Sequence, residues 1–312
     1  MRLLNREIRL EASSFCQLKC PSCPTATRAI HPAIGSGFLK LADFEKLLKD
    51  SPWLMQIELS NYGEVFLNPH LLDILEAARR SSVAITIING ANLNNARDGV
   101  LEGLVKYQVR ELTCSIDGAS RETYAEYRVG GDFDAVIANI RRLNEFKRQY
   151  RSELPQLKWQ FIVFGHNEHE IPLARQMANE LGMKFETKLS FNSAFSPVRD
   201  VALVKRETGL KAATREEYRR VYGTDYKVDT CHQMWTDPQV NWDGKVLGCC
   251  RNFWGDFGAN AFSDGLVNAL NSEKMQYARA MLKGETPERA DIPCTTCDIY
   301  QWRREHGQWV AL

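Results

Sequence analysis

Three of the chain's nine cysteines, Cys16, Cys20 and Cys23, fall within eight positions in the run "SSFCQLKCPSCPT". A disulfide uses two thiols, and a structural zinc site uses four ligands. Three thiolates on one short loop, spaced Cys-x-x-x-Cys-x-x-Cys, suit a metal assembly that keeps one coordination position open. His31 could complete a zinc site with them, but the loop between Cys23 and His31 argues against it. Five more cysteines lie in the last third of the chain, at 231, 249, 250, 294 and 297.

The chain has 312 residues, enough for one large domain and a small one. Its 40 Lys and Arg balance 39 Asp and Glu, so no net field recruits nucleic acid or anionic lipid. Hydrophobic residues make up 44% of the chain, yet no uninterrupted apolar run approaches a membrane span. Arg2, Arg6, Glu7, Arg9 and Glu11 exclude a signal-peptide hydrophobic region at the start. The expected location is the cytoplasm, where nine cysteines point to metal or redox chemistry rather than disulfides.

The elements that must carry these thiols can be read from periodicity. Apolar runs at Arg6–Ala12, Leu54–Ser60, Val83–Ile88, Glu111–Ile116, Leu157–Phe164 and Lys184–Leu189 predict strands. Amphipathic patterns between them, at 41–50, 69–80, 133–150 and 170–182, predict helices, with Pro69 opening one and Gly182 closing another. Six β/α units predict an α/β fold with a parallel sheet, open or curled into a partial barrel. Function in such folds sits at the carboxyl ends of strands, and the three-cysteine loop follows the first strand.

Residues 191–230 break this rhythm, with a loop at "FNSAFSPVRD" and one connecting helix at "AATREEYRRVYG". Beyond them, "QVNWDGKVLGCC" predicts a β-hairpin turning at Asp243-Gly244, and one helix is expected near 272–283.

"CQLKCPSC" after a first strand, in a chain of six β/α units, resembles the radical SAM superfamily. In that family three thiolates hold a [4Fe–4S] cluster whose fourth iron chelates S-adenosylmethionine, and reductive cleavage releases a 5′-deoxyadenosyl radical. The resemblance implies a partial (β/α)6 TIM-like barrel. It also implies roles for the later motifs. In "SNYGEVFLNP", Gly63 lets backbone approach the cofactor and Glu64 binds its ammonium. Asn89 in "INGANL" lies near the methionyl group, Ser115 in "CSIDGAS" faces the cofactor, and Arg128 takes the carboxylate. The chain departs from the family pattern at two positions: Ser22 replaces an aromatic residue near adenine, and Tyr62 replaces the first Gly of a Gly-Gly-Glu segment. Cys114 reads as a small core residue.

The carboxyl-terminal cysteines resemble a twitch domain, the shortened form of the SPASM domain. The likeness assigns one auxiliary [4Fe–4S] cluster to Cys231, Cys249, Cys294 and Cys297, with a zinc ribbon on the same thiols as the alternative. The expected boundaries are a radical SAM core at 1–200, a linker at 201–230 and a twitch domain at 231–312. Cys250 is left over. Strand alternation would turn it away from Cys249, either as a packed spectator or as a thiol that quenches a substrate radical and so inverts a carbon.

Cys16 stands so near the start that no leader-peptide module is expected before it, which favours a small molecule. The plan is similar to twitch enzymes acting on sugars, aminocyclitols and aminoglycosides. Epimerisation at a carbinol carbon, with Cys250 as hydrogen donor, is the reading preferred. The alternatives are a dehydrogenase using the auxiliary cluster as electron acceptor, a peptide-modifying maturase, and a non-catalytic iron–sulfur or zinc protein. The radical chemistry implies an external one-electron donor such as flavodoxin or ferredoxin. Asn61, Lys188, Asn192, Arg199, Arg251, Asn252, Trp254 and Asp256 could line a polar pocket.

Overall fold

The computed structural model describes residues 2–311. The chain begins β1 (Glu7–Leu10), α1 (Leu41–Asp50), β2 (Gln56–Glu58) and α2 (Leu71–Arg80). It continues β3 (Ala84–Ala91), α3 (Asp98–Lys106), β4 (Glu111–Ser115), α4 (Arg121–Tyr127) and α5 (Phe133–Tyr150). Next come β5 (Gln156–Val163), α6 (Ile171–Glu180), β6 (Lys184–Leu189), α7 (Val201–Thr208) and α8 (Arg215–Tyr222). The last third holds β7 (Gln239–Val240), β8 (Val246–Gly248), α9 (Leu266–Leu270), α10 (Glu273–Leu282) and α11 (Asp298–His306). All six predicted strands form. The linker carries two helices instead of one, and α9 and α11 flank the single helix expected in the tail. Pro69 does not open α2: Asn68 Oδ1 accepts from the His70 N–H at 2.8 Å, and the helix starts at Leu71.

The chain divides into two compact units. The first gathers the residues up to Phe15, Arg28–Ala84 and the chain from Lys227 onward. Its centre is β1, parallel to β2 on one side (Ile8 opposite Ile57) and to β7 on the other (Leu10 opposite Val240). β8 returns antiparallel to β7 through the Asp243-Gly244 turn, where Gly244 has φ +88°. Ile8, Leu10 and Ile57 are fully buried, as are Phe44 of α1 and Ile74 of α2. Because side chains alternate across a strand, Arg9, Glu11 and Glu58 occupy the opposite face, and they too are buried.

The second unit, Cys16–Thr27 and Ile85–Tyr226, carries four parallel strands in the order β3-β4-β5-β6. Leu112 stands opposite Ile87 and Leu157, and Trp159 and Phe161 are fully buried in this sheet. Cys114 is fully buried, as expected of a core residue. Val136, Ile140 and Leu143 recur at helical spacing along the apolar face of α5. The Asp132 carboxylate caps that helix by accepting from the Ala135 N–H at 3.1 Å. Gly182, at φ +67°, lies just past α6 and lets the chain turn into β6. Among the described residues, no helix is long and apolar enough to cross a membrane.

The packing of α5 yields a graded expectation. Asp132→Ala should destabilise the protein by about 1 kcal/mol, and Ile140→Ala by roughly 2–5 kcal/mol. Urea denaturation of the two variants checks the order.

Candidate active site

The loop with Cys16, Cys20 and Cys23 is fastened from several sides within the second unit. Lys19 N–H donates to the Val129 carbonyl at 2.9 Å, and Cys23 N–H to the Cys20 carbonyl at 3.0 Å. Cys20 is buried against Leu18, Tyr127 and Phe164, with Cys16 and Cys23 packed on the same cluster. Two donors approach the sulfurs: Arg128 Nη1 lies 3.8 Å from Cys20 Sγ, and Asn92 Nδ2 lies 3.8 Å from Cys16 Sγ. Burial pushes the Cys20 thiol up, and the Arg128 guanidinium opposes that shift. Hydrogen bonds to thiolates tune iron–sulfur centres.

Arg128 is held rigidly. Its Nε donates to Asp117 Oδ2 at 2.6 Å, and Asp117 Oδ1 accepts from the Ile162 N–H at 2.6 Å. Burial pushes the Asp117 carboxyl up while Arg128 draws it down, so the ion pair is compensated rather than idle. Gly90, at φ +123°, sits where a Cβ would come 2.3 Å from Ser115 Oγ. This close approach puts Asn89, Gly90 and Ser115 at neighbouring strand ends. Ser22 accepts from Asn192 Nδ2 at 3.1 Å, and Lys188 donates to Gln160.

In the first unit, Gly63 is wedged against backbone: a Cβ there would lie 2.1 Å from the Ser13 carbonyl oxygen. The Glu64 N–H donates to the Phe15 carbonyl at 2.7 Å, and its buried carboxylate accepts from the Phe66 N–H at 3.3 Å. The turn before it hangs on a residue that motif reading passes over. Glu11 Oε1 accepts from the Tyr62 and Gly63 N–H groups at 2.7 and 2.9 Å. Complete burial pushes the Glu11 carboxyl up to about 7, against the pull of those N–H donors. The signal was available in the sequence, since Glu7, Arg9 and Glu11 alternate with apolar residues in the first predicted strand.

Four further thiols surround one apolar cavity. Cys231 lies on a 3-10 turn, Cys249 after β8, Cys294 on a second 3-10 turn and Cys297 at the start of α11. Met234, Leu247, Phe257, Leu282 and Tyr300 line the space between them. Burial pushes the Cys249 and Cys294 thiols well up, and the neighbouring sulfurs add to the shift. Bare thiolates would repel here, so the site suits a cationic group. Four thiols lining one cavity supply the donor number of a four-thiolate metal centre, whether iron–sulfur or zinc.

Cys250 stays out of this cavity, but not by strand alternation. β8 ends at Gly248, whose φ is +79°, and Cys249 to Arg251 form a turn. The Cys250 N–H donates to Gln233 Oε1 at 2.9 Å, and the thiol interacts electrostatically with Arg9 and with Tyr62. Tyr62 is half-buried, edge-on to Phe253 with ring centroids 6.3 Å apart. Four of the residues that could line a polar pocket, Arg251, Asn252, Trp254 and Asp256, make contacts within the first unit. Arg251 pairs with Asp298, Asn252 donates to the Leu247 carbonyl and Trp254 to the Pro293 carbonyl, and Asp256 accepts from the Gly258 N–H. Arg199 instead donates its backbone N–H to Glu168, and His31 caps its own loop by accepting from the Ala33 N–H.

Residues 231–298 match the family model of the SPASM iron–sulfur cluster-binding domain. Among solved structures, Streptococcus suis SuiB bound to S-adenosylmethionine is similar over 95% of this chain and 71% of its own. Its TM-score is 0.67 and its identity 16%. Native anSMEcpe with bound AdoMet is similar over 96% of this chain and 87% of its own, with a TM-score of 0.61 and 14% identity. BtrN in complex with AdoMet and 2-DOIA is similar over 96% and 94%, with a TM-score of 0.52 and 14% identity. The chain shares the fold of these three proteins. It is a partial α/β barrel followed by a small domain that matches the model of an iron–sulfur cluster-binding domain. No curated protein sequence matches the chain.

The raised Glu11 carboxyl makes stability depend on pH. Its folded value of about 7 exceeds the unfolded one, so its contribution is complete below about pH 4.5 and is lost as pH rises through 7. Glu11→Gln should flatten the melting temperature across that window relative to the parent. An unchanged slope would show that Glu11 does not titrate there.

Proposed function

We propose that this protein binds S-adenosylmethionine at a [4Fe–4S] cluster held by Cys16, Cys20 and Cys23 and epimerises a carbinol carbon of a small polyhydroxylated substrate. A sugar, an aminocyclitol and an aminoglycoside all have the required chemistry. When bound and reduced, the cofactor pair supplies a 5′-deoxyadenosyl radical, which takes a hydrogen atom from the substrate. Gly63 leaves room for the cofactor at a turn, Glu64 accepts from its ammonium, and Asn89 and Ser115 flank its methionyl part. Arg128, anchored on Asp117, offers its guanidinium to the carboxylate. Cys231, Cys249, Cys294 and Cys297 hold the auxiliary cluster, in keeping with the matched domain.

The observation that carries epimerisation is the place of Cys250. It is excluded from the four-thiol cavity and lies beside Arg9 and Tyr62, where Tyr62 adjoins the Gly63-Glu64 turn. Its S–H bond is weaker than the C–H bond it would form. Hydrogen passes from sulfur to the carbon radical, leaving a thiyl radical. One electron from a flavodoxin- or ferredoxin-type donor and one proton then restore the thiol.

A second reading has support in the likeness, with a TM-score of 0.65, to SuiB bound to precursor peptide SuiA. Under it the same cofactor residues act and the substrate is a peptide. Product mass on a peptide rather than a small molecule separates the two.

Two experiments test the proposal. Reconstituted protein should carry about eight irons, and changing Cys16, Cys20 and Cys23 together to Ala should halve that number and abolish S-adenosylmethionine cleavage. Stoichiometric zinc in place of iron would end the radical reading. Cys250→Ser should retain both clusters and continue to form 5′-deoxyadenosine while product falls sharply, because an O–H bond is too strong for the carbon radical to break. In the parent enzyme, solvent deuterium should appear at one inverted carbon. Normal turnover of the variant with a ketone product would instead make the enzyme a dehydrogenase.

A further inference from the structure

α10 presents Gln276, Arg279, Ala280 and Lys283 along one face, at i, i+3, i+4 and i+7. These residues, with Leu3, Trp235 and Glu285, line a cavity of about 270 Å³ in the first unit, away from the cysteine-lined one. Arg279 is its anchor. The residue is 6% exposed, and its Nε donates to the Met234 carbonyl at 2.8 Å. Its Nη1 and Nη2 are buried without a hydrogen-bond partner among the described residues. Burial lowers its pKa to about 10, with no carboxylate offsetting the shift.

The acids nearby are committed elsewhere. Glu273 pairs with Arg289, Asp291 with Lys274 and Arg289, and Glu285 with Lys283. A buried guanidinium with two idle N–H edges is costly unless something negative meets it. The end-on pair of Nη atoms matches two oxygens of a planar or tetrahedral anion. Trp235 and Leu3 supply an apolar wall beside it, and the cavity holds more than a single water.

We propose that this cavity is a binding site for a small molecule bearing a carboxylate or phosphate group, with Arg279 Nη1 and Nη2 taking two of its oxygens. The site is separate from the radical chemistry. It is tied to the auxiliary domain through the Met234 carbonyl, because Met234 lines the four-thiol cavity as well.

Calorimetric titration of the full-length reconstituted protein, at constant ionic strength set with chloride, tests this with two probes. Inorganic phosphate and succinate represent the two anion chemistries, and whichever binds saturably near one per chain identifies the source. Arg279→Met should weaken that binding at least tenfold. Gln276→Glu, one turn back on the same face, should supply an internal carboxylate, abolish the binding and raise the melting temperature. If Arg279→Met fails to fold, Gln276→Glu decides alone. Failure of both probes to bind, or binding by folded Arg279→Met at parental strength, overturns the proposal. So does binding that persists in Gln276→Glu. Both clusters and S-adenosylmethionine cleavage should survive in either variant, so these outcomes are independent of the radical reading.

Discussion

Two buried ionisable side chains, Arg9 within β1 and Glu11 just past its end, constrain the first unit. Arg9 and Glu11 face the same side of β1, and neither can remain there uncompensated. Glu11 is met by backbone N–H groups of the Tyr62-Gly63 turn, which fixes the segment that carries Glu64. Arg9 is met by Gln239 and Asp237 and lies 4.0 Å from Glu58, so it binds the entry to β7 to the neighbouring strands. Cys250 and Tyr62 gather near the same two residues. The Tyr62-Gly63 turn and the entry to β7 are thus fastened to two buried side chains of opposite kind, two residues apart.

The two groups of thiols are prepared in different ways. Around Cys16 and Cys20 the sulfurs meet side-chain N–H groups of Asn92 and Arg128. Around the second cavity the walls are apolar, Cys294 has mainly the other three thiols as electrostatic neighbours, and the Arg251 guanidinium acts on Cys249 and Cys297. Reduction adds negative charge to a cluster, so donors and cations favour it, while a dry apolar shell disfavours it. The contrast is one of environment, since the side chains in both places are cysteines.

Much of the fold was legible because its signals are local. Strand and helix periods place the six parallel strands within a few residues, and α5 runs over 133–150 as its apolar spacing requires. The thiols of both groups could be read because metal ligation tolerates few residue types. What could not be read depends on partners far apart in sequence. Asp117 looks like the start of an Asp-Gly turn until Arg128 and the Ile162 N–H converge on it. Arg251, Asn252, Trp254 and Asp256 have pocket-like chemistry, yet each is used to close a loop. Cys250 was separated from Cys249 for the wrong reason, because the positive φ of Gly248 ends the strand one residue before the pair.

The parallel pairing of β1 with β7 also sets a timetable for synthesis. Gln239 and Val240, the partners of Arg9 and Leu10 on one side, leave the ribosome about 230 residues after them. At roughly 5–20 residues per second, that interval is on the order of 10–50 s. During it, one edge of β1 displays unpaired backbone groups and half-satisfied charges. An exposed edge of this kind is a template for pairing with other chains. Until β7 arrives to cover that edge, the charged side chains of Arg9 and Glu11 are the local deterrent to such pairing.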